Sequence, residues 1–530
     1  MSMNTQRRPR GLRPRALLGG LLVLSSAALL TGCAADAETG DGARSSSLVI
    51  AENEPPASFD PIQANNSTVD EVVIPAYDTL LTYDDDQELS EKLATEWSVS
   101  DDGTTISMTL RDDVTFHDGE PLTAADVVYT LDRIASLGTG VASFLTSYES
   151  STADSDTELT ITLANADAPF LAALTRVYVL NSALVDENAG DDEGQSWLAT
   201  NDAGSGPYAL TSYVANQSAS FDRYDDYWGG FDGQAGSVEF RYITEASTQL
   251  SALQGGDVDI AMDIAPTDRA SFEGQDGFTV DASDTNVVLY SFFDMTDPVT
   301  SNPALREAVS YAYDYQQHVD SILLGAGQLV DGPVPSGMQC STTDVEQPTL
   351  DLDRARQIVD DNGLGGTTLT MTYLEATTEM EQAATLLQSN LAEIGITLEL
   401  QAVTYPPYAE MAADDATRPQ LGMIYAFPAF PDTSAVMYQN YNSQFIGSQN
   451  WGAYSNPEVD ELTNAAQVET DQDTRCEQYV EAEQIVTSDH AAVNMANAQI
   501  VAVMDDRVQG YTYRPAHHQT VDVYAITLTD

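Results

Sequence analysis

Leu48-Val49-Ile50 is a short apolar run that predicts a strand, and Ser58-Phe59-Asp60-Pro61 turns the chain away from it. Ile106, Met108 and Leu110 alternate with Ser107 and Thr109, the period of two that gives a strand one buried face. After the Asp118-Gly119 turn and Pro121 the period changes. Thr123-Ala124-Ala125-Asp126 has the form of a capping box, and Val127, Val128, Leu131 and Ile134 share one face of the helix it would start. Pro303 predicts the start of another helix, through Leu305, Ala308, Val309 and Ala312. Ala383, Leu386, Leu387 and Leu391 line a third, stopped at Gly395 before a strand over Thr397–Val403. Helix-then-strand units of this kind predict α/β layers. The chain shows no internal repeat.

The N-terminus has a different pattern. Met1 to Arg15 is basic, and Ala16 to Leu30 is apolar but shorter than the ~20 residues of a spanning helix. The run ends in Leu30-Thr31-Gly32-Cys33, followed by Ala34 and Ala35, which resembles a bacterial lipobox. Residues 1–32 are therefore expected to be a lipoprotein signal peptide, with the Cys33 thiol as the lipidation site. Residues 33–46 are small and polar and read as a flexible tether. The expected location is outside the cytoplasm, on the outer face of the membrane, with the lipid anchor as the membrane contact.

At 530 residues the chain is too long for one core, so two to four domains or lobes are expected. Acids number 83 against 20 Lys plus Arg, a net charge of −63, and Arg7, Arg8, Arg10, Arg13 and Arg15 all lie in the leader. No basic face remains to neutralise phosphates, which excludes nucleic acid as a partner. Lys92 is the sole lysine and follows Glu91, so there is no Walker A loop. So acidic and lysine-poor a composition fits adaptation to high salt, or a genome that substitutes Arg for Lys.

Catalytic patterns fail one by one. Gly204-Ser205-Gly206 has Ala203 where a nucleophile elbow needs glycine. His117, His318, His490, His517 and His518 lack metal-ligand spacing, and Asp84-Asp85-Asp86 lacks the glycine and final Glu of a calcium loop. No enzyme, metal or cofactor is expected. Once Cys33 is acylated, Cys340 and Cys476 remain. In an oxidising compartment such a pair more often bridges than stays as two buried thiols.

Leu93 to Leu131 (LATEWSVSDDGTTISMTLRDDVTFHDGEPLTAADVVYTL) resembles the signature of the family 5 extracellular solute-binding proteins, the dipeptide and oligopeptide receptors of ABC importers. GSGPY at Gly204 to Tyr208 and Tyr227-Trp228-Gly229 are similar to that family's turn motifs. ALQGGDVDIA (Ala252 to Ala261) resembles the family's stretch before its central hinge, ALREAVSYAYD (Ala304 to Asp314) the helix after it and NWGAYSNPEVDEL (Asn450 to Leu462) a late helix-entry motif, all in family order. By themselves these segments read as scaffold. Gly204 and Gly206 suit a tight turn, His117 a turn position, and Trp97, Tyr227 and Trp228 packing.

The resemblance implies an α/β, periplasmic-binding-protein-like clamshell of two lobes with an additional small domain. The large lobe would comprise 47–86, 204–285 and 489–530, the small domain 87–203, and the opposing lobe 286–488. It implies capture of a peptide between the lobes and delivery to membrane permeases, whose ATPase subunits supply the energy. An oligosaccharide or other small solute is the alternative ligand. A chaperone or sensor lipoprotein of the envelope is the alternative from another class.

One stretch departs from the family. Peptide-binding members carry a stretch like Trp-x-Ala-Asp-Tyr-x-x-Pro, whose aspartate accepts the ligand's α-ammonium. IYAFPAFPDTS (Ile424 to Ser434) puts Phe430 at the aromatic and Ala429 at that aspartate. Either Asp432 takes over the amine or the ligand has no free amine. Tyr425, Phe427 and Phe430, with Trp451, would then wall an apolar cleft, unless the loop merely packs its rings into the lobe.

Overall fold

The apolar run at Leu48 is β1 (Ser47–Glu52), with Leu48 and Ile50 fully buried. The structure, a computed structural model, describes residues 46–530 apart from 86, 263, 265, 376, 518–520 and 530. The expected leader, Cys33, nearly all of the tether and His518 lie outside those residues. No helix among the described residues is long and apolar enough to cross a membrane.

The alternation at Ile106 becomes β3 in a separate antiparallel sheet. This sheet runs in the order β2 (Ala94–Val99), β3 (Thr105–Leu110), β5 (Glu158–Leu163), β4 (Tyr148–Ala153). Against it packs α1 (Ala124–Leu137). Its first turn is fixed by Asp126, whose carboxylate accepts from the Thr123 N–H and hydroxyl, each at 2.9 Å.

The main sheet holds eleven strands. Its path runs through β6 (Tyr208–Val214), β7 (Ser218–Arg223), β8 (Ser237–Tyr242), β1 and β9 (Ile260–Ala261) on one side. The other side comprises β11 (Thr368–Leu374), β12 (Thr397–Val403) and β13 (Leu421–Ala426). Two long strands, β10 (Phe278–Phe293) and β14 (Ala492–Asp505), join the two sides and belong to both. This is an α/β clamshell of two lobes, with the four-stranded sheet as the added domain.

Each lobe has its own core because each half-sheet must cover two apolar faces. In the second lobe, α2 (Pro303–Ala312) and α3 (Thr378–Glu393) bury Leu305, Val309, Met380 and Leu387 against Leu369, Met371 and Met423. On the opposite face, α4 (Tyr405–Ala413) sets Tyr408 against Tyr290, Phe292 and Ile424. Gly395, at φ 78°, ends α3 in the left-handed conformation that favours glycine.

The crossing is a built irregularity. Pairing of β10 with β14 is regular to Asp284↔Gln499 and resumes at Val288↔Asn497, leaving Thr285–Val287 unpaired. The Asn497 amide spans the gap, donating to the carbonyls of Thr285 (2.8 Å) and Val287 (2.9 Å). The Thr285 hydroxyl donates to Ala498 O at 2.8 Å. A bulge held by side chains bends a strand without leaving its polar groups unmet. β14 crosses between the lobes at Asn497.

Candidate functional site

Strand direction defines the crevice. In the first lobe β14 runs away from the bulge; β9 is antiparallel to it, so β9 and its parallel neighbours β1 and β8 end toward the bulge. In the second lobe β10 runs away from the bulge and β13 is antiparallel to it, so β13 and the parallel β11 and β12 also end there. Carboxyl ends of parallel strands thus face the crossing from both sides. Open α/β sheets bind ligands at such ends, where successive crossovers part and leave a crevice.

Tyr425 and Phe427 stand at the end of β13. Their rings lie 5.5 Å apart, and Phe427 is 52% exposed. The Tyr425 hydroxyl donates to Glu379 Oε2 at 2.7 Å, and burial, then the Glu379 charge, raises its pKa well above the ordinary value. Glu379 sits in the first turn of α3, where the helix dipole favours a carboxylate. Its Oε1 lies 3.1 Å from His318 Nε2, and His318 Nδ1 lies 2.5 Å from the Tyr313 hydroxyl. Sequence reasoning missed this group: 61 residues separate His318 from Glu379, and neither belongs to a motif.

Asp432, Phe430 and Trp451, three of the expected contacts, lie elsewhere. Asp432 is 4% exposed, and both its oxygens are bound by Arg475, Nη1–Oδ2 and Nη2–Oδ1 each at 2.7 Å. Oδ1 also accepts the Ser434 N–H at 2.8 Å. Burial opposes its charge, but Arg475 and Ser434 hold the carboxyl below the usual range. Its charge is already met by the guanidinium, and burial keeps it from the surface. Phe430 is buried edge-on against Phe144 of the added domain, 5.8 Å between ring centres. Trp451, partly buried, packs on Tyr408, 6.3 Å away, against the cluster behind the sheet. Only Tyr425 and Phe427, of the five proposed contacts, meet at the strand ends.

The loop after β13 ties the lobes together. Arg176 Nε donates to Ala429 O at 2.7 Å, while its other nitrogens meet Asp70 and Ala516 O. The added domain also reaches the second lobe through Ala168 N–H, which donates to Gln467 O (2.7 Å) at the end of α5 (Pro457–Val468). A disulfide joins Cys340 to Cys476, the latter in α6 (Gln472–Ser488), within the second lobe.

The remaining motif residues are scaffold. Asp78, fully buried, accepts from Ser205 Oγ (3.1 Å), Tyr227 OH (3.3 Å) and Trp228 Nε1 (3.0 Å), and pairs with Lys92 at 3.3 Å. A Cβ on Gly204 would fall 1.9 Å from Ala76 O, so that glycine answers to close approach rather than to turn geometry. His117 bridges Asp202 (2.8 Å) and Gly206 O (2.9 Å). Burial opposes its charge, yet Asp202 carries its pKa above the ordinary value.

Residues 88–448 match the family model described as bacterial extracellular solute-binding proteins, family 5 middle. The chain is similar to the probable D,D-dipeptide-binding periplasmic protein DdpA of Escherichia coli K12, 29% identical over 485 residues, 90% of this chain and 93% of that protein. Among solved structures it resembles the ABC transporter substrate-binding protein CtaP of Listeria monocytogenes. That likeness has a TM-score of 0.82 and 24% identity, over 91% of this chain and 99% of that one. It also resembles DppA of Helicobacter pylori in complex with the peptide STSA, with a TM-score of 0.77 and 20% identity, over 91% and 98% of the two chains.

Proposed function

The chain belongs to the bacterial extracellular solute-binding proteins of family 5, and on that premise we propose that it captures short peptides between its lobes for an ABC importer. The family is one of binding proteins, not enzymes. The observation that carries the reading is the convergence of carboxyl strand ends from both lobes on one bulged crossing. A ligand seated there touches both lobes at once, so its contacts favour the closed state over the open one. Peptide as the ligand is supported by relatives whose names specify a D,D-dipeptide and whose structures hold a peptide.

In this proposal Tyr425 and Phe427 touch the ligand. Residues 47–86, 204–285 and the chain after the β14 crossing form one lobe, 87–203 the added domain, and the rest the opposing lobe. Diacylglycerol on Cys33 holds the mature protein to the outer face of the membrane, where it meets the permease subunits. Mass spectrometry of the ligand that co-purifies with the mature protein is the test. Peptides of a few residues are expected. A sugar or another solute in stoichiometric amount overturns the ligand class while leaving the crevice in place.

A further inference from the structure

Several carboxylates buried in this molecule are matched with its few bases. Asp60 faces Arg133 at 2.7 Å, Asp78 faces Lys92, Asp70 faces Arg176, and Asp432 faces Arg475. Glu379 is the exception at the crevice. Its side chain keeps 15% of its surface exposed, and among the described residues its ion-pair contact is to His318 alone. Its partners are a phenol and an imidazole. Tyr425 O–H donates to Oε2, while His318 places Nε2 3.1 Å from Oε1 and Nδ1 2.5 Å from the Tyr313 hydroxyl. These contacts fix the carboxylate in place, and among the described residues no arginine or lysine pairs with it. Each oxygen retains a lone pair.

We infer that Glu379 is the anchor for a cationic group of the ligand, the free α-ammonium of a peptide, in the role expected of Asp432; this rests on the peptide-capture reading above. A fixed, partly desolvated carboxylate gains more from an ammonium ion than an exposed one does, because less water must be displaced when the ion arrives. The exposed Phe427 ring, packed on the Tyr425 ring, lies beside it as a surface for the first side chain of the ligand or as a cation–π neighbour of the ammonium. His318 and Tyr313 are positioning residues, and both are fully buried behind the carboxylate.

Calorimetry with alanyl peptides of two to five residues, each with a free or an acetylated amine, tests the anchor on the full chain. Glu379→Gln keeps an acceptor for Tyr425 and removes the charge. It is expected to weaken the free-amine peptides at least tenfold, leave the acetylated ones unchanged and leave the melting temperature unchanged. Tyr425→Phe, which keeps the charge and loses one donor, is expected to cost the free-amine peptides less than Glu379→Gln does. Free-amine affinity untouched by Glu379→Gln, or equal losses for both peptide sets, overturns the anchor and leaves peptide capture standing. Failure of the wild type to bind any of these peptides overturns both.

Discussion

Asp432 and Glu379 are two carboxylates of the same lobe with opposite fates. Asp432 stands where the family pattern puts chemistry nearby, three residues from the missing aspartate, yet Arg475 closes over both its oxygens. Glu379 stands in no motif, yet it emerges at the ends of β11 and β13 with a phenol and an imidazole as its partners. The difference teaches that a carboxylate's role is set by the partner folding brings to it. A guanidinium turns an acid into a strut, whereas a phenol and an imidazole leave it able to bind.

The largest effect should come from breaking the strut. Arg475→Leu leaves the Asp432 charge buried and unpaired, and a loss of about 3–5 kcal/mol is expected in denaturant unfolding. An unchanged midpoint would mean that the pair contributes nothing to folding.

Glu483 sharpens the comparison as a third case, a buried carboxyl with no cation. Burial, with a smaller push from the Asp331 charge, raises its pKa to about 7 from an ordinary 4.5, against the Val334 N–H, which favours the charged form. Since the folded value is the higher one, its contribution is complete below pH 4.5 and is lost as pH rises toward 7. A fall on the order of 3 kcal/mol across that window is expected. Glu483→Gln should flatten it, as read from unfolding free energy against pH.

The crossing offers a smaller effect. Asn497→Ala leaves the carbonyls of Thr285 and Val287 without their donor, and about 1–3 kcal/mol should be lost. If the bulge sets how the lobes meet, peptide affinity should fall as well. Affinity that survives an equal loss of stability would separate the crossing from ligand capture.

What the sequence showed and what it hid divides along contact distance. Local periodicity was enough for β3, for α1 with its Thr123–Asp126 cap and for β12, because those signals lie within a few residues. The clamshell followed from motifs in order, and their physical reason is visible only in space, where Ser205, Tyr227, Trp228 and Lys92 converge on Asp78. The candidate site was legible only in part. Tyr425 and Phe427 were picked out because aromatics cluster along the chain there. Phe430, from the same stretch, is buried against Phe144, and Trp451 packs beside Tyr408. Glu379 escaped because its meaning depends on His318 and Tyr313, far away in the chain, and Asp432 misled because Arg475 is 43 residues distant.

The most direct measurement is a paired one, melting temperature and free-amine peptide affinity on Asp432→Asn and Glu379→Gln side by side. The account predicts a lowered melting temperature with near wild-type affinity in the folded protein for Asp432→Asn. For Glu379→Gln it predicts an unchanged melting temperature and at least a tenfold loss of affinity, about 1.4 kcal/mol. The reverse assignment, with affinity lost at Asp432 and stability lost at Glu379, would contradict it.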